Sequence, residues 1–414
     1  MSETNDEQAA PAPLAGIRVL DLSRDLAGPL CSMILAEHGA DVVEVEHPVA
    51  GDETRSWPPF LGDDLSGYFA TMNRSKQSLA LDLKAPEGKQ VVYDLVRRAD
   101  VFMQSFTPGV ADRLGFGYQE LCEHNPRIIY YSTSGFGETG PYRTRRGYDP
   151  ILQAVSGFMS LTGEFGRGPV KSTIPVADVA TAVHGYGSIV SALLWRERTG
   201  SERGQRIDMS MLDVMVSMLS VVGTRYLING VVPPRLGTRN PQRVPSSAFE
   251  CADGRYLQLV PNQRQWPDFA ALLGHPEWAV QPEYATPSAR VAAADVIYAA
   301  IEDIMRTKPL AEWQAALDEI GVACSPINDL SEVFADPQVV SRGLVQTYDY
   351  PGVGKVPGLA LPFRYSETPC RIVSRPPRLG EHSIQVLEDL GRTRAEIKQL
   401  ISNGIVRTAD REAE

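Results

Sequence analysis

One acidic residue is set apart by its surroundings. In Pro175-Val176-Ala177-Asp178-Val179-Ala180-Thr181-Ala182, a single carboxylate follows a proline and precedes a long run of small and apolar residues. That run predicts a buried helix over 179–195, with Pro175 marking the irregular segment ahead of it. Asp178 then falls at the helix N-terminus, where free backbone N–H groups and the helix dipole favour an ionised carboxylate. Two readings follow. An ionised carboxylate in an apolar, glycine-punctuated setting can serve as a nucleophile. Aspartate at a helix start can equally be a cap whose side chain accepts a backbone N–H.

A second group of candidates is cationic. Arg24, Arg74, Lys76, Lys84, Arg113, Arg143, Arg145 and Arg146 all fall after predicted strands. In open parallel sheets ligands bind beyond the carboxyl ends of the strands, so this placement points to a phosphate site. The net charge of −11 argues against general nucleic-acid affinity, and an anionic ligand must meet a local basic cluster. Glu44 or Glu46 lies near the ribose position of a dinucleotide-binding unit. However, the turn Ser23-Arg24-Asp25-Leu26-Ala27-Gly28-Pro29 lacks the three glycines that let a pyrophosphate approach a helix N-terminus. A phosphorylated carrier other than a nicotinamide or flavin dinucleotide is therefore expected.

The elements that must position these residues alternate in the first third of the chain. Strands are predicted at 17–22, 41–46, 78–83, 101–105 and 127–134, with helices at 29–38 and 88–98. Continuous apolar strands in a βαβ rhythm predict a Rossmann-like α/β domain, a parallel sheet covered by helices on both faces. The second half differs. Residues 219–245 read as a linker rich in Gly, Pro and Arg; strands at 247–251 and 256–260 then flank a hairpin turn, with helices near 266–273, 290–305 and 309–320. At 414 residues the chain is expected to form a large domain and a smaller α/β domain. The acidic stretch 1–13 has neither a basic start nor an apolar core and reads as a disordered tail, not a secretory signal. No apolar run is long enough to cross a bilayer, which argues against membrane association. Five scattered cysteines without a CxxC pair point to reduced thiols in the cytoplasm and to no zinc framework.

Several blocks together resemble the class III CoA-transferase family, which includes formyl-CoA transferase, carnitine CoA-transferase and succinate–hydroxymethylglutarate CoA-transferase, with acyl-CoA racemases as relatives. They are Leu14-Ala15-Gly16-Ile17-Arg18-Val19-Leu20-Asp21-Leu22-Ser23, Ala27-Gly28-Pro29, Gly39-Ala40-Asp41-Val42-Val43-Glu44-Val45-Glu46 and Gly51-Asp52-Glu53-Thr54-Arg55. The likeness continues in Asn73-Arg74-Ser75-Lys76, Arg113-Leu114-Gly115, Gly135-Phe136-Gly137-Glu138-Thr139-Gly140-Pro141, Gly147-Tyr148-Asp149 and Leu379-Gly380-Glu381-His382. It spans nearly the whole chain.

The resemblance implies Asp178 as catalytic nucleophile. It would carry CoA from an acyl-CoA donor to a carboxylic acid acceptor through mixed-anhydride and aspartyl-CoA thioester intermediates. CoA is then a substrate moiety, and no metal or permanently bound cofactor is implied. By position, Leu26 and Ala27 match a backbone contact to CoA. His47 stands where relatives have an arginine near the 3′-phosphate, and Leu81 to Lys84 match the segment along the adenosine. Arg113 matches a phosphate-binding arginine, and Arg146 a lysine of relatives. Ser105 replaces a frequent asparagine beside the retained Phe106, and Glu44 replaces a frequent lysine, which removes a positive charge. The family also implies an interlocked homodimer, with domains at 14–224 and 225–326 and a C-terminal return at 327–414. Active sites in such dimers lie between the large domain of one chain and the small domain of its partner.

A racemase is the alternative reading. It needs an acid/base pair, and Tyr148 stands where racemases of the family typically have histidine; an unperturbed phenol is a poor base near neutrality. His184 is expected to be packed, and His38 and His124 to be helix-end or surface residues. The Phe334–Gln338 and Leu379–His382 blocks, with Gly237-Thr238, lie nearer the succinate–hydroxymethylglutarate enzymes, which points to succinyl-CoA and a dicarboxylate acceptor. Arg239 and Arg243 are candidates for its distal carboxylate, and equally exposed linker charges.

Overall fold

In a computed structural model, residues 11–62 and 65–409 are described; residues 1–10 of the predicted tail lie outside them. Six parallel strands form the main sheet: β1 (Arg18–Leu22), β2 (Asp41–Glu46), β3 (Gln77–Leu81), β4 (Val101–Gln104), β5 (Ile129–Ser134) and β6 (Arg206–Ser210). Their spatial order is 3-2-1-4-5-6, and the short strand Val406–Arg407 pairs antiparallel with β3 at the edge. Leu20 of β1 lies opposite Val43 on one side and Phe102 on the other. The chain order reverses between β1 and β4, so a crevice opens beyond the carboxyl ends of these two strands.

Alternation along each strand divides the core between two faces. Leu20, Leu79, Leu81, Phe102 and Tyr130 pack with the helices Pro86–Val96, Tyr118–His124, Ser383–Asp389 and Arg394–Ser402. Val19, Val42, Val101, Met103, Ile129 and Tyr131 pack with the helices Ala27–Glu37 and Val176–Thr199. The second of these helices approaches the sheet closely because residue 185 is glycine. A Cβ there would lie 2.5 Å from the Tyr131 hydroxyl and 3.1 Å from Cys31 Sγ.

Three expectations need correction. Strand β6 was not predicted, because its residues alternate between exposed and half-buried and include Arg206 and Asp208, as suits a sheet edge. The predicted linker begins as a helix, Ser220–Asn229, whose apolar residues, Leu227 and Ile228 among them, stay exposed within the chain. The predicted helix at 290–305 is two helices, Pro287–Ala292 and Ala294–Met305, parted at Ala293.

Contacts divide the chain into two compact units. One takes the chain up to Gly157, Ser172–Thr224 and the chain from Arg342 on; the other takes Phe158–Lys171 and Arg225–Ser341. The second unit has an antiparallel sheet of Ser247–Glu250, Tyr256–Val260 and Ala323–Pro326 over a core that includes Phe249, Trp266, Phe269, Ile301 and Trp313. Among the described residues no single helix is long and apolar enough to cross a membrane, although the bent pair Met211–Ser217 and Ser220–Asn229 matches by length and composition.

Candidate active site at the carboxyl ends of the sheet

The helix that carries Asp178 starts at Val176, with Pro175 as an N-cap that has no side-chain bond to offer. A carboxylate from another element fills that need. Asp149 Oδ1 accepts the Ala177 N–H at 2.8 Å, and its Oδ2 accepts Gln153 Nε2 at 2.6 Å. The capping role open to Asp178 is thus taken by Asp149, 28 positions before the amide it accepts. Asp178 sits half-buried in the first helical turn without that duty.

Its charge state departs from the expectation of a helix terminus that keeps it ionised. Burial, then the carboxylates of Asp149 and Asp25, push Asp178 from an ordinary 3.8 up to about 7. No hydrogen bond or cation among the described residues offsets them. Near neutral pH a substantial fraction is still ionised, and that fraction is more basic, hence more nucleophilic, than an ordinary carboxylate.

Asp25 belongs to the turn that follows β1 and opens the helix Ala27–Glu37. The turn is held at three successive amides. Ser23 N–H donates to Asp21 Oδ1 at 2.8 Å, Arg24 N–H to Ser105 Oγ at 2.9 Å, and Asp25 N–H to Asp52 Oδ2 at 3.1 Å. Asp25 adopts a left-handed conformation, φ 68°. The next helix has Leu26 as an N-cap without a side-chain cap, so its first amides are open to a ligand. The side chains of Leu26 and Ala27 are buried, leaving their backbone as the part that can reach one. Ser105 accepts from Arg24 and keeps its own hydroxyl proton to donate.

A small cleft of about 70 Å³ lies beside this turn, lined by Arg24, His47, Leu81, Asp82, Leu83, Lys84, Phe106 and Leu114. The Arg24 guanidinium stands 5.4 Å from the Phe106 ring centre. His47 is exposed, and its Nδ1 accepts the amides of Val49 and Ala50 at 3.2 Å each, so a neutral ring carries its proton on Nε2 as a donor. Lys84 is exposed, and Arg113, next to Leu114, is exposed in the last turn of Val110–Leu114. The structure therefore gathers His47, Leu81, Lys84 and Phe106 in one cleft, with Ser105, Leu26 and Ala27 adjoining through the Arg24 turn. Arg146 is not among the lining residues; it is exposed on the loop before Asp149.

Sequence comparison identifies the group. Residues 14–383 match the profile of CoA-transferase family III. The chain belongs to that family. It is 41% identical over 389 residues to succinate–glutarate CoA-transferase of Agrobacterium fabrum, covering 91% of this chain and 96% of the relative. It is 37% identical over 399 residues to the human succinyl-CoA:glutarate CoA-transferase, covering 95% and 90%. A solved CAIB/BAIF family protein of Brucella suis superposes with a TM-score of 0.81 at 39% identity, covering 92% of this chain and 100% of that one. The protein is a class III CoA-transferase, an enzyme that moves CoA from an acyl-CoA donor to a carboxylic acid acceptor.

In this CoA-transferase not every cation after a strand faces the crevice. Arg74 is buried and bonded to Glu37 and, at 2.7 Å, to the Leu359 carbonyl. Lys76 is buried between Asn73 Oδ1 at 2.5 Å, Asp21 Oδ2 at 3.6 Å and Glu44 Oε2 at 4.0 Å. Neither is available to a phosphate, because a buried cation must be matched by the anions that let it fold inward. Glu44 lies in the same buried group. Burial raises its pKa well above the ordinary value; Lys76 opposes the rise, and Glu46, Asp52 and Asp21 add to it.

The histidines also differ from expectation. His38 ends its helix as predicted but is buried among Tyr186, Phe363 and Tyr365. His184 is exposed instead of packed, its Nδ1 2.8 Å from the Ala180 carbonyl on its own helix. Tyr148 is 60% exposed. Arg239 is engaged within its own unit by Glu302 at 3.1 Å and Asp295 at 3.4 Å and lies over Tyr298, whereas the side chain of Arg243 is exposed. Among the described residues no cluster of three or more His, Cys, Asp or Glu is arranged to hold a metal.

Sequence reasoning named Asp178 and the cleft residues but assigned no role to Asp25 or Asp149. Asp149 was visible only as part of Gly147-Tyr148-Asp149, and nothing in that block shows that it reaches the amide of Ala177.

Proposed function

We propose that this CoA-transferase works through Asp178 as a covalent nucleophile. The observation that carries the reading is a first-turn carboxylate relieved of capping by Asp149 and left without a compensating partner. The Asp178 carboxylate attacks the donor thioester, forming a mixed anhydride and releasing CoA thiolate. The thiolate attacks the aspartyl carbonyl of the anhydride, giving an aspartyl-CoA thioester and free donor carboxylate. The acceptor carboxylate attacks that thioester and again releases CoA thiolate. The thiolate then attacks the acceptor carbonyl, so the new acyl-CoA leaves and Asp178 is regenerated. Two good leaving groups alternate on one side chain, and the route needs no metal or redox centre. Exclusion of water protects both activated species from hydrolysis.

CoA is held along the turn after β1, with Leu26 and Ala27 supplying backbone and Ser105 a hydroxyl. His47, Leu81, Lys84 and Phe106 accommodate the nucleotide end, with Arg113 beside Leu114 supplying positive charge to phosphate; Arg146, on the loop before Asp149, serves a phosphate away from that cleft. The names of the relatives support succinyl-CoA as donor and a short dicarboxylate such as glutarate as acceptor. An interlocked homodimer is supported by apolar side chains the single chain leaves open: Leu227 is 83% exposed, Ile228 81% and Val232 74%. Five free cysteines fit the reducing cytoplasm.

The test is intact-mass analysis after mixing with succinyl-CoA, with and without hydroxylamine. A mass increase that hydroxylamine removes and Asp178→Ala lacks is the expected result. Undiminished transfer by Asp178→Ala excludes the assignment. Solution mass tests the dimer; a monomer at micromolar concentration is the contrary outcome.

A further inference from the structure

The turn after β1 is held by side chains from three separate places in the chain, and one of them is better anchored than a surface turn requires. Asp52 is 3% exposed. Its Oδ1 accepts the Thr54 amide at 2.7 Å and the Thr54 hydroxyl at 2.6 Å, which leaves Oδ2 to take the Asp25 amide at 3.1 Å. The Asp52 amide in turn donates to Glu46 Oε2 at 3.0 Å. Glu46 is gripped by Arg55 at 2.6 and 2.7 Å and by the Ser78 hydroxyl at 2.6 Å. The carboxyl end of β2 is thus wired through Asp52 to the one left-handed residue of the turn. Left-handed backbone at a residue other than glycine persists only where its surroundings enforce it.

We propose that Asp52 is a positioning residue for the CoA site: by clamping the Asp25 amide it fixes the turn along which CoA lies and holds the Asp25 carboxylate in electrostatic reach of Asp178. The proposal rests on the reading of Asp178 as nucleophile. Removing the clamp frees the turn, so the open amides of the following helix are no longer presented in one arrangement, and CoA binding must supply the missing order. The charged groups that bear on Asp25 are Asp52, Glu53 and Arg24. Those that bear on Asp178 are Asp149 and Asp25, and the phenol of Tyr68 lies within the field of all three carboxylates. Asp149 is pinned by Ala177 and Gln153, and Asp25 by the Asp52 carboxylate on its amide.

The experiment uses the full-length enzyme with succinyl-CoA and glutarate, and CoA itself as a calorimetric ligand. Asp52→Ala is expected to raise KM for succinyl-CoA and Kd for CoA about tenfold while kcat changes less than about threefold. Thr54→Val removes one bond to Asp52 but leaves its contact with Asp25, and is expected to retain wild-type KM and Kd. Asp25→Asn keeps a residue tolerant of left-handed backbone and removes only the charge. It is expected to move the acid limb of kcat/KM down by about half a pH unit. A folded Asp52→Ala with unchanged KM and Kd overturns the clamp. Should that variant not fold, an acid limb unmoved in Asp25→Asn overturns the proposal by itself. Full transfer activity in Asp178→Ala is a different result, which refutes the nucleophile reading and not the clamp.

Discussion

Two acidic groups stand at the carboxyl ends of the same sheet, and the chain treats them in opposite ways. Around β1 and β2, Asp21, Glu46 and Asp52 are buried and each is answered. Lys76 and two serine hydroxyls serve Asp21, Arg55 and Ser78 serve Glu46, and Thr54 serves Asp52. Burial alone would raise Glu46, yet Arg55 with the hydrogen bonds from Ser78 and the Asp52 amide brings it below the ordinary value. Around Asp178 the same residue type meets the opposite treatment: burial and two further carboxylates raise it, and nothing lowers it. A structural carboxylate is one whose oxygens are spent on partners. A chemical one is kept free, with its charge destabilised, so that bonding to an electrophile relieves the strain. Glu44 falls between, buried beside Lys76 with neither oxygen hydrogen-bonded among the described residues.

The contrast can be broken at four points. Asp178→Ala should lower transfer by about three powers of ten or more, read from steady-state rates with succinyl-CoA; a loss below tenfold would make Asp178 another structural acid. Arg55→Met leaves Glu46 buried without its cation and should destabilise the fold by about 3–5 kcal/mol in denaturant titration. If the stability of Arg55→Met matches wild type, the network around Glu46 is not structural.

Asp178→Asn should stabilise the protein at pH 8. The folded value of about 7 lies above the ordinary 3.8. The contribution of Asp178 to stability is therefore complete below about pH 4 and lost as pH rises through about 7. Removal of the charge should restore roughly 1–3 kcal/mol after allowance for partial exposure, with no gain at pH 4. The same titration predicts that kcat/KM of the wild type falls as pH drops below about 7. Glu44→Gln should have the smallest effect. It should match wild type below the ordinary carboxylate value of 4.5 and lose less stability as pH rises above it, because the raised carboxyl of Glu44 is absent. Parallel stability curves would mean that Glu44 does not titrate there.

Much of the fold was readable because its signals are local. Strands such as Val101–Gln104 are continuous apolar runs bounded by polar residues, and the helix after Pro175 is a long run of small residues. Burial on both faces of a parallel sheet leaves no other pattern to choose. The helix Ser220–Asn229 escaped prediction for the converse reason: Gly223, Gly230 and Pro233 in and after it read as a linker. In the site, Lys84 was legible as a cation placed after a strand, whereas His47, Leu81 and Phe106 were found through the family resemblance and not through their chemistry. Arg74 and Lys76 resembled phosphate ligands in every local respect, and only Glu37, Asp21 and Glu44 reveal that they are buried counter-charges.

The sequence alone determined the strand-and-helix rhythm, the family, and a carboxylate at the head of a long helix, because each is written in neighbouring residues. The tertiary structure decided which carboxylate caps that helix and which is left bare. Asp149 and Ala177 meet only when segments 28 residues apart are folded together, as do Asp25 and Asp52 across 27. Charge state is a property of those meetings, since desolvation and the distance between like charges depend on where distant segments come to rest.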